Sequence, residues 1–311
     1  MRNKNCLGIS QEAIKIGQSI TTGILLEASC SPSPGLVNPF SMGSHRDMNF
    51  FSFLLGSSTI SPYFSLFAQL GMNWEERQSL LDELRKLGRD AEKQLLKATG
   101  GVNTQRGILF LGGVVAAASG MAINKEEITV DNISKNVSKI CAGLVERELE
   151  GLECKKNYTD GESLFLKYGI EGIRGEVEKG LPSIVNIGYP QFVKGMQLNI
   201  GLNNAMVDCL LHLIATVEDT TILSRLGING LKKAQIEAKK VIAQGSIHTK
   251  RGIRGILDLD RYFIEENISP GGSADLLAIS VAIYMMEERE INLDSILRGY
   301  GDFYKNYNGI E

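Results

Sequence analysis

The sequence has no excess of basic residues, no CxxC pair and little proline, and each shortage removes a class of function. Lys and Arg number 33 against 36 Asp and Glu, for a net charge of −3. No general positive field exists to gather a polyanion, so nucleic acid is not an expected partner. The five cysteines (Cys6, Cys30, Cys141, Cys154, Cys209) are odd in number and widely spread. That argues against a disulfide framework and a thiolate zinc site, and for a reducing compartment. The most membrane-like stretch, residues 107–123, is interrupted by Gly112, Gly113 and Ser119, and a span needs about 20 apolar residues. A buried central helix is expected there instead, with no membrane partner. The first twenty residues carry Lys4, Glu12 and Lys15 without an apolar core, so no secretory signal is read and a cytoplasmic location is expected.

Seven prolines serve 311 residues, and three of them (Pro32, Pro34, Pro39) fall close together, leaving 119 proline-free residues between Pro62 and Pro182. Proline ends helices, so that gap leaves room for long ones. No alternating apolar run exceeds four residues, whereas helical spacing is frequent. Ala13, Ile16, Ile20 and Ile24 recur at three and four, as do Leu80, Leu84, Leu87, Ala91 and Leu95. Ile133, Val137, Ile140 and Leu144 repeat the pattern, and so do Met206, Cys209, Leu213 and Val217. The reading is all-α, with about ten or eleven helices around a buried Gly/Ala-rich central helix. The expected helices cover about 10–30, 48–70, 74–98, 103–122, 126–150, 161–179, 190–217, 230–244, 249–267, 273–289 and 293–307. With 43% apolar and 22% charged residues and no low-complexity linker, one domain spanning 1–311 is expected.

Four segments and one late loop stand out by residue type. Residues 27–49, EASCSPSPGLVNPFSMGSHRDMN, form a proline-stiffened loop in which Gly43-Ser44-His45-Arg46-Asp47 opens the next helix. Such a loop offers unpaired N–H groups beside a proton-transfer group, a phosphate fork and a carboxylate; the bland alternative is a Ser44 cap with Asp47 favouring the dipole. In TGGVNTQRG (99–107), paired glycines allow close backbone approach and Asn103 or Thr104 caps. Arg106 in the first turn opposes the macrodipole unless an anion faces it. GIRGE (172–176) reads as a helix end with an Arg–Glu pair. Glu218 and Asp219 are expected at the end of a long apolar helix, where two carboxylates cost stability unless a cation joins them. Pro270-Gly271-Gly272-Ser273-Ala274-Asp275 opens an apolar helix, with Ser273 as candidate cap and Asp275 as an early acid.

Taken in order, SPSPGLVNPFSMGSHRDMNF, TGGVNTQRG, GIRGEVEKGLPS, EDTTILSRLG and GGSADLLA resemble the motifs of triphosphoribosyl-dephospho-CoA synthases over about residues 10–290. The resemblance implies an all-α enzyme, a pentosyltransferase that converts ATP and 3′-dephospho-CoA into 2′-(5″-triphosphoribosyl)-3′-dephospho-CoA and adenine. The product is the prosthetic-group precursor of the citrate lyase or malonate decarboxylase acyl carrier protein and passes to a carrier-protein loading enzyme. The family pattern has Lys at the position of Ser33, Asp at Asn38, His at Gln105 and Asp at Glu218, so three ionisable groups are missing here.

The implied chemistry must hold two anionic substrates, deprotonate a hydroxyl and release adenine through an oxocarbenium-like state. Arg46, Arg106, Arg174 and Arg225 are the phosphate candidates, with backbone from Gly100, Gly101, Gly271 and Gly272. Asn103, Thr104, Ser273 and Asp275 complete the expected substrate site. Asp47 is the expected general base and His45 a phosphate or proton group. Glu27, Glu218 and Asp219 are the expected ligands of Mg²⁺, the implied cofactor. A Mg²⁺-dependent nucleotide N-glycosyl hydrolase and a nucleotide-binding relative without turnover are the alternatives, and a homo-oligomer stays open.

Overall fold

The computed structural model describes residues 8–75, 79–125, 127–152, 157–289 and 291–298. Among the described residues there is no strand, and fourteen α-helices carry the structure. The count exceeds the expected ten or eleven because the backbone turns left-handed inside three stretches read as single helices. The first becomes α5 (Val130–Cys141) and α6 (Leu144–Leu149), parted at Gly143 with φ 70°. The second becomes α7 (Asp160–Tyr168) and α8 (Gly172–Glu178), and the third α9 (Tyr189–Gln197) and α10 (Leu202–Ile214). Apolar spacing runs on across each break, so periodicity does not show it. Residues 230–244 belong to a longer helix, α11 (Thr220–Ala243), kinked at Gly227 with φ 65°. Of the expected helix 293–307 the structure shows α14 (Leu293–Leu297); residues 299–311 lie outside the described ones, as do Cys6 and Cys154. Cys30, Cys141 and Cys209 are buried free thiols.

The chain forms two compact units. The first takes residues up to Leu25 and Phe51–Val185, and the second Leu26–Phe50 and Asn186 onward. In the first unit, α4 (Arg106–Lys125) packs against α3 (Leu80–Ala98), α5 and α8. It is the expected small-residue core helix, buried at Leu111, Val114, Val115, Ala116, Ala117 and Ala118. Among the described residues two helices have the length and apolarity to cross a membrane, α2 (Phe50–Met72) and residues Arg106–Ile123 of α4, and 72% of the latter is buried within the protein. Glycine lets α2 and α4 approach backbone to backbone. A Cβ on Gly71 would overlap the Ala117 carbonyl, and one on Gly120 the Ala68 carbonyl. Since a helix backbone cannot yield as a side-chain tip does, Gly120→Ala is expected to cost about 1–3 kcal/mol, read as a lowered urea midpoint at unchanged slope.

In the second unit, α13 (Gly271–Met286) is buried at every residue from Leu276 to Tyr284 and packs on α9, α10 and α11. Around this core the proline-stiffened loop is pinned at three points. Asn203 of α10 bonds both the N–H and the carbonyl of Ser31, at 3.0 and 2.7 Å. Asp260 of α12 (Lys250–Glu265) accepts from the Gly35 N–H at 2.9 Å. The Ser44 hydroxyl reaches the carbonyls of Phe263 (3.0 Å) and Ile268 (2.6 Å). A loop held this way presents residues 45–47 on a rigid base, which a site on a free loop lacks.

Candidate functional site

The second unit gathers acids from three distant parts of the chain. Glu27 stands in the last turn of α1 (Gln11–Ser29), Asp219 before α11, and Asp275 in α13. Burial raises the Glu27 carboxyl from 4.5 to about 8. Asp275 is raised well above the usual carboxylate range by burial, then by the charges of Glu27 and Asp219. Among the described residues neither Glu27 nor Asp275 has a hydrogen-bond partner on its carboxyl group. Desolvated carboxylates without partners are costly to ionise; Glu27 is buried and Asp275 half-buried.

Asp219 is different, and its expected setting is corrected. It does not close a helix: α10 ends at Ile214, and Asp219 is the N-cap of α11. One carboxylate oxygen accepts from the N–H groups of Thr221 (2.9 Å) and Ile222 (3.3 Å), the other from the Ser273 N–H (2.7 Å) and hydroxyl (3.0 Å). It therefore gains from the dipole it was expected to oppose, and its bonds tie the first turn of α13 to the start of α11. Burial raises its carboxyl nonetheless, against the pull of these donors. Ser273 is likewise not the cap of α13; Pro270 occupies that position without a side-chain bond. The N–H groups of Gly271 and Gly272 stay in the first turn, where a helix offers them no acceptor. Glu218 is exposed.

Beside these acids lies His45, the candidate proton-transfer group. The Nε2 of His45 is 2.9 Å from the hydroxyl of Ser269, a residue 1% exposed, and its Nδ1 is 3.8 Å from Asp47. Arg225 of α11 donates to the Ser44 carbonyl at 3.0 Å and stands 3.3 Å from His45 Nδ1 and 3.4 Å from Nε2. Burial and this guanidinium lower the His45 pKa, with Asp47 opposing them, so the ring is neutral at pH 7. Arg225 in turn feels both Asp47 and Asp219, which joins Asp47, His45, Arg225, Asp219, Asp275 and Glu27 into one electrostatic chain. Asp47 is 63% exposed on its side chain, and Arg46 is exposed. Neither Ser44 nor Asp47 serves a helix start, because α2 begins only at Phe50.

The first unit holds the other candidates. The Asn103 side chain accepts from the N–H of Arg106, the first residue of α4, at 3.1 Å. The Arg106 guanidinium is paired with Glu92 at 2.8 Å, so the anion expected in front of it is a protein carboxylate. A Cβ on Gly100 or Gly101 would meet nothing within 4 Å, and both glycines have positive φ; the loop is open there. Arg174 does not pair with Glu176. Its Nε bonds Glu148 at 2.7 Å, and Glu148 also takes Arg85, while Glu176 accepts from the Ser183 N–H and hydroxyl, each at 2.8 Å. Next to Asn103, the Thr104 hydroxyl is buried without a partner.

The missing charges have local explanations. Ser33 and Asn38 are both buried, and the Asn38 amide donates to the Ser33 hydroxyl at 3.2 Å. Two of the departures are thus one neutral contact where the resemblance implies Lys and Asp. Gln105 donates from Nε2 to the Ser57 hydroxyl at 2.7 Å, and Ser57 gives its own proton to the Phe53 carbonyl at 2.8 Å. That order fixes the Gln105 amide and leaves its Oε1 buried without a partner. Reading the sequence missed Ser269 and Asp260, whose only signals were a serine before Pro270 and an acid on a charged helix.

Residues 13–293 match the model of a family described as ATP:dephospho-CoA triphosphoribosyl transferase. The chain belongs to this family. A probable 2-(5″-triphosphoribosyl)-3′-dephosphocoenzyme-A synthase of Malonomonas rubra is 38% identical over 280 residues, covering 89% of each chain. The synthase of Klebsiella pneumoniae is 34% identical over 271 residues, 86% of this chain and 89% of its own. That of Escherichia fergusonii is 34% identical over 272 residues, 86% of this chain and 90% of its own. No solved structure matches this chain. As a member of the triphosphoribosyl transferase family the protein is a transferase, all-α as the resemblance implies.

Proposed function

We propose that the protein moves the triphosphoribosyl group of ATP to the 2′-hydroxyl of 3′-dephospho-CoA, releasing adenine, and does the chemistry on the acid–histidine group of its second unit. The observation that carries the reading is the pair of a buried Glu27 and a half-buried Asp275, both desolvated and without hydrogen bonds on their carboxyl groups, in line with Asp219, Arg225 and His45. Hard carboxylate oxygens of this kind fit Mg²⁺, which is held by one or two carboxylates together with substrate phosphates. Among the described residues no three His, Cys, Asp or Glu side chains can hold an ion alone, so Glu27 and Asp275 would share it with the triphosphate. Bound there, Mg²⁺ supplies neutralisation of the triphosphate charge. The N–H groups of Gly271 and Gly272 at the start of α13, with Arg46 and Arg225, take phosphate oxygens, whereas Arg106 and Arg174 are held by Glu92 and Glu148.

Asp47, exposed on a pinned loop, removes the proton of the attacking hydroxyl. Neutral His45 behind it keeps a polar N–H available as that charge is neutralised, and Arg225 offsets the negative charge around both. Holding the hydroxyl in line with the ribose C1′ supplies much of the acceleration. The product would serve as prosthetic-group precursor for citrate lyase or malonate decarboxylase and pass to a loading enzyme, in the cytoplasm, where free thiols such as Cys30 persist.

Incubation with ATP, Mg²⁺ and dephospho-CoA, followed by mass analysis, tests the reading. The expected outcome is a CoA derivative heavier by one triphosphoribosyl group, with one adenine per product. Adenine and free ribose triphosphate would instead mean a hydrolase, and calorimetric ATP binding without adenine release a relative that has lost turnover.

A further inference from the structure

We propose that Ser269 is a positioning residue for proton transfer: its hydroxyl donates to Nε2 of His45 and so keeps the ring's one proton on Nδ1, the nitrogen facing Asp47. The inference rests on the reading above, in which Asp47 is the base and His45 supports it.

A neutral imidazole has one donor and one acceptor nitrogen. If Nε2 carried the proton, the Nδ1 lone pair would face the Asp47 carboxylate at 3.8 Å, lone pair toward negative charge. If Nδ1 carries it, a polar N–H faces that carboxylate, and Nε2 needs a donor. Ser269 is that donor, 2.9 Å away, and among the described residues its hydroxyl has no other partner. Arg225 stands almost equally far from both nitrogens, 3.3 and 3.4 Å, so it biases the ring's charge without choosing the tautomer.

The backbone on both sides is set for the contact. Ser269 precedes Pro270, which restricts its conformation. The neighbouring Ile268 is held by its N–H to Phe263 at 2.8 Å and by its carbonyl to Ser44. On the facing segment, Ser44 N–H bonds Gly35 at 3.0 Å and His45 N–H bonds Met42 at 3.2 Å. Two serines, 44 and 269, thereby clamp the histidine loop onto the turn between α12 and α13. One acts through backbone and the other through the ring.

The chain has three histidines, so ring ¹⁵N shifts can be assigned by single substitutions. The wild type is expected to show a protonated Nδ1 and a lone-pair Nε2 at His45. Ser269→Ala should give a tautomer mixture and lower kcat about 10- to 100-fold, with KM for both substrates within about twofold. Ser269→Thr, which keeps the hydroxyl, should recover the wild-type shifts and most of the rate. A wild-type ring protonated on Nε2 overturns the proposal. So does a Ser269→Ala protein whose tautomer or kcat is unchanged, or a loss of rate that threonine does not repair although the protein is folded. The shifts are read without turnover, so a wild type that forms no product counts against the function and leaves the tautomer assignment to its own measurement.

Discussion

Glu27→Gln is expected to make the protein more stable and nearly inactive. Burial raises the Glu27 carboxyl from 4.5 to about 8. The folded chain then holds a proton there that the unfolded chain gives up as pH rises through 4.5. Folding stability is full below that pH and falls as pH climbs toward 8. At pH 7–8 the cost is on the order of 3–4 kcal/mol by the standard conversion. An amide of the same shape removes the titration. The variant should therefore unfold at a higher urea concentration than wild type at pH 8 and at nearly the same concentration at pH 4.5. If Glu27 holds Mg²⁺ with the triphosphate, turnover should fall by about two orders of magnitude, and Mg²⁺–ATP should no longer raise the melting temperature. Equal pH slopes for the two proteins would show that Glu27 is not protonated in the folded state, and full activity would remove it from the cation site.

The second large effect is a coupling between Ser33 and Asn38. Both are buried, at 1% and 3% exposure, and bonded to each other. Ser33→Lys alone puts an ammonium group beside a neutral amide, and an unpaired buried charge costs about 3–5 kcal/mol. Asn38→Asp alone should cost less, because the Phe40 N–H already donates to this side chain at 2.9 Å and the Ser33 hydroxyl can turn to donate. Together the two substitutions restore the ion pair that the family pattern implies, and most of the loss should vanish. Denaturation of the four proteins gives the coupling energy directly. An additive result would mean that the two positions are not exchanged as a pair. Recovery of stability with unchanged turnover would show that losing both charges altered the scaffold of the loop and not the chemistry at His45 and Asp47.

Helix content was legible because burial follows spacing: Ala13, Ile16, Ile20 and Ile24 are buried as their period requires, and so are Ile133, Val137 and Leu144. Breaks were less legible. Gly143 interrupts a run whose apolar period continues through it, since a left-handed residue changes the chain's direction without changing which residues are apolar. Asp219 was misread for a related reason. The start of α11 carries little apolar pattern before the kink at Gly227, so the carboxylate was attached to the helix before it. Arg106 and Arg174 looked like phosphate ligands because their carboxylate partners, Glu92 and Glu148, lie on other helices.

By itself the sequence determined the all-α class, the buried Gly/Ala-rich helix, the family and most of the segments that carry polar chemistry. These depend on residue type and near-neighbour spacing, which the chain order states outright. Tertiary structure alone decided that Glu27 and Asp275 share a desolvated, unbonded setting, that Asp219 is a cap, and that Ser269 meets His45. Hydrogen bonds and desolvation act over a few ångströms in space, and residues up to 248 positions apart become neighbours only when the helices pack.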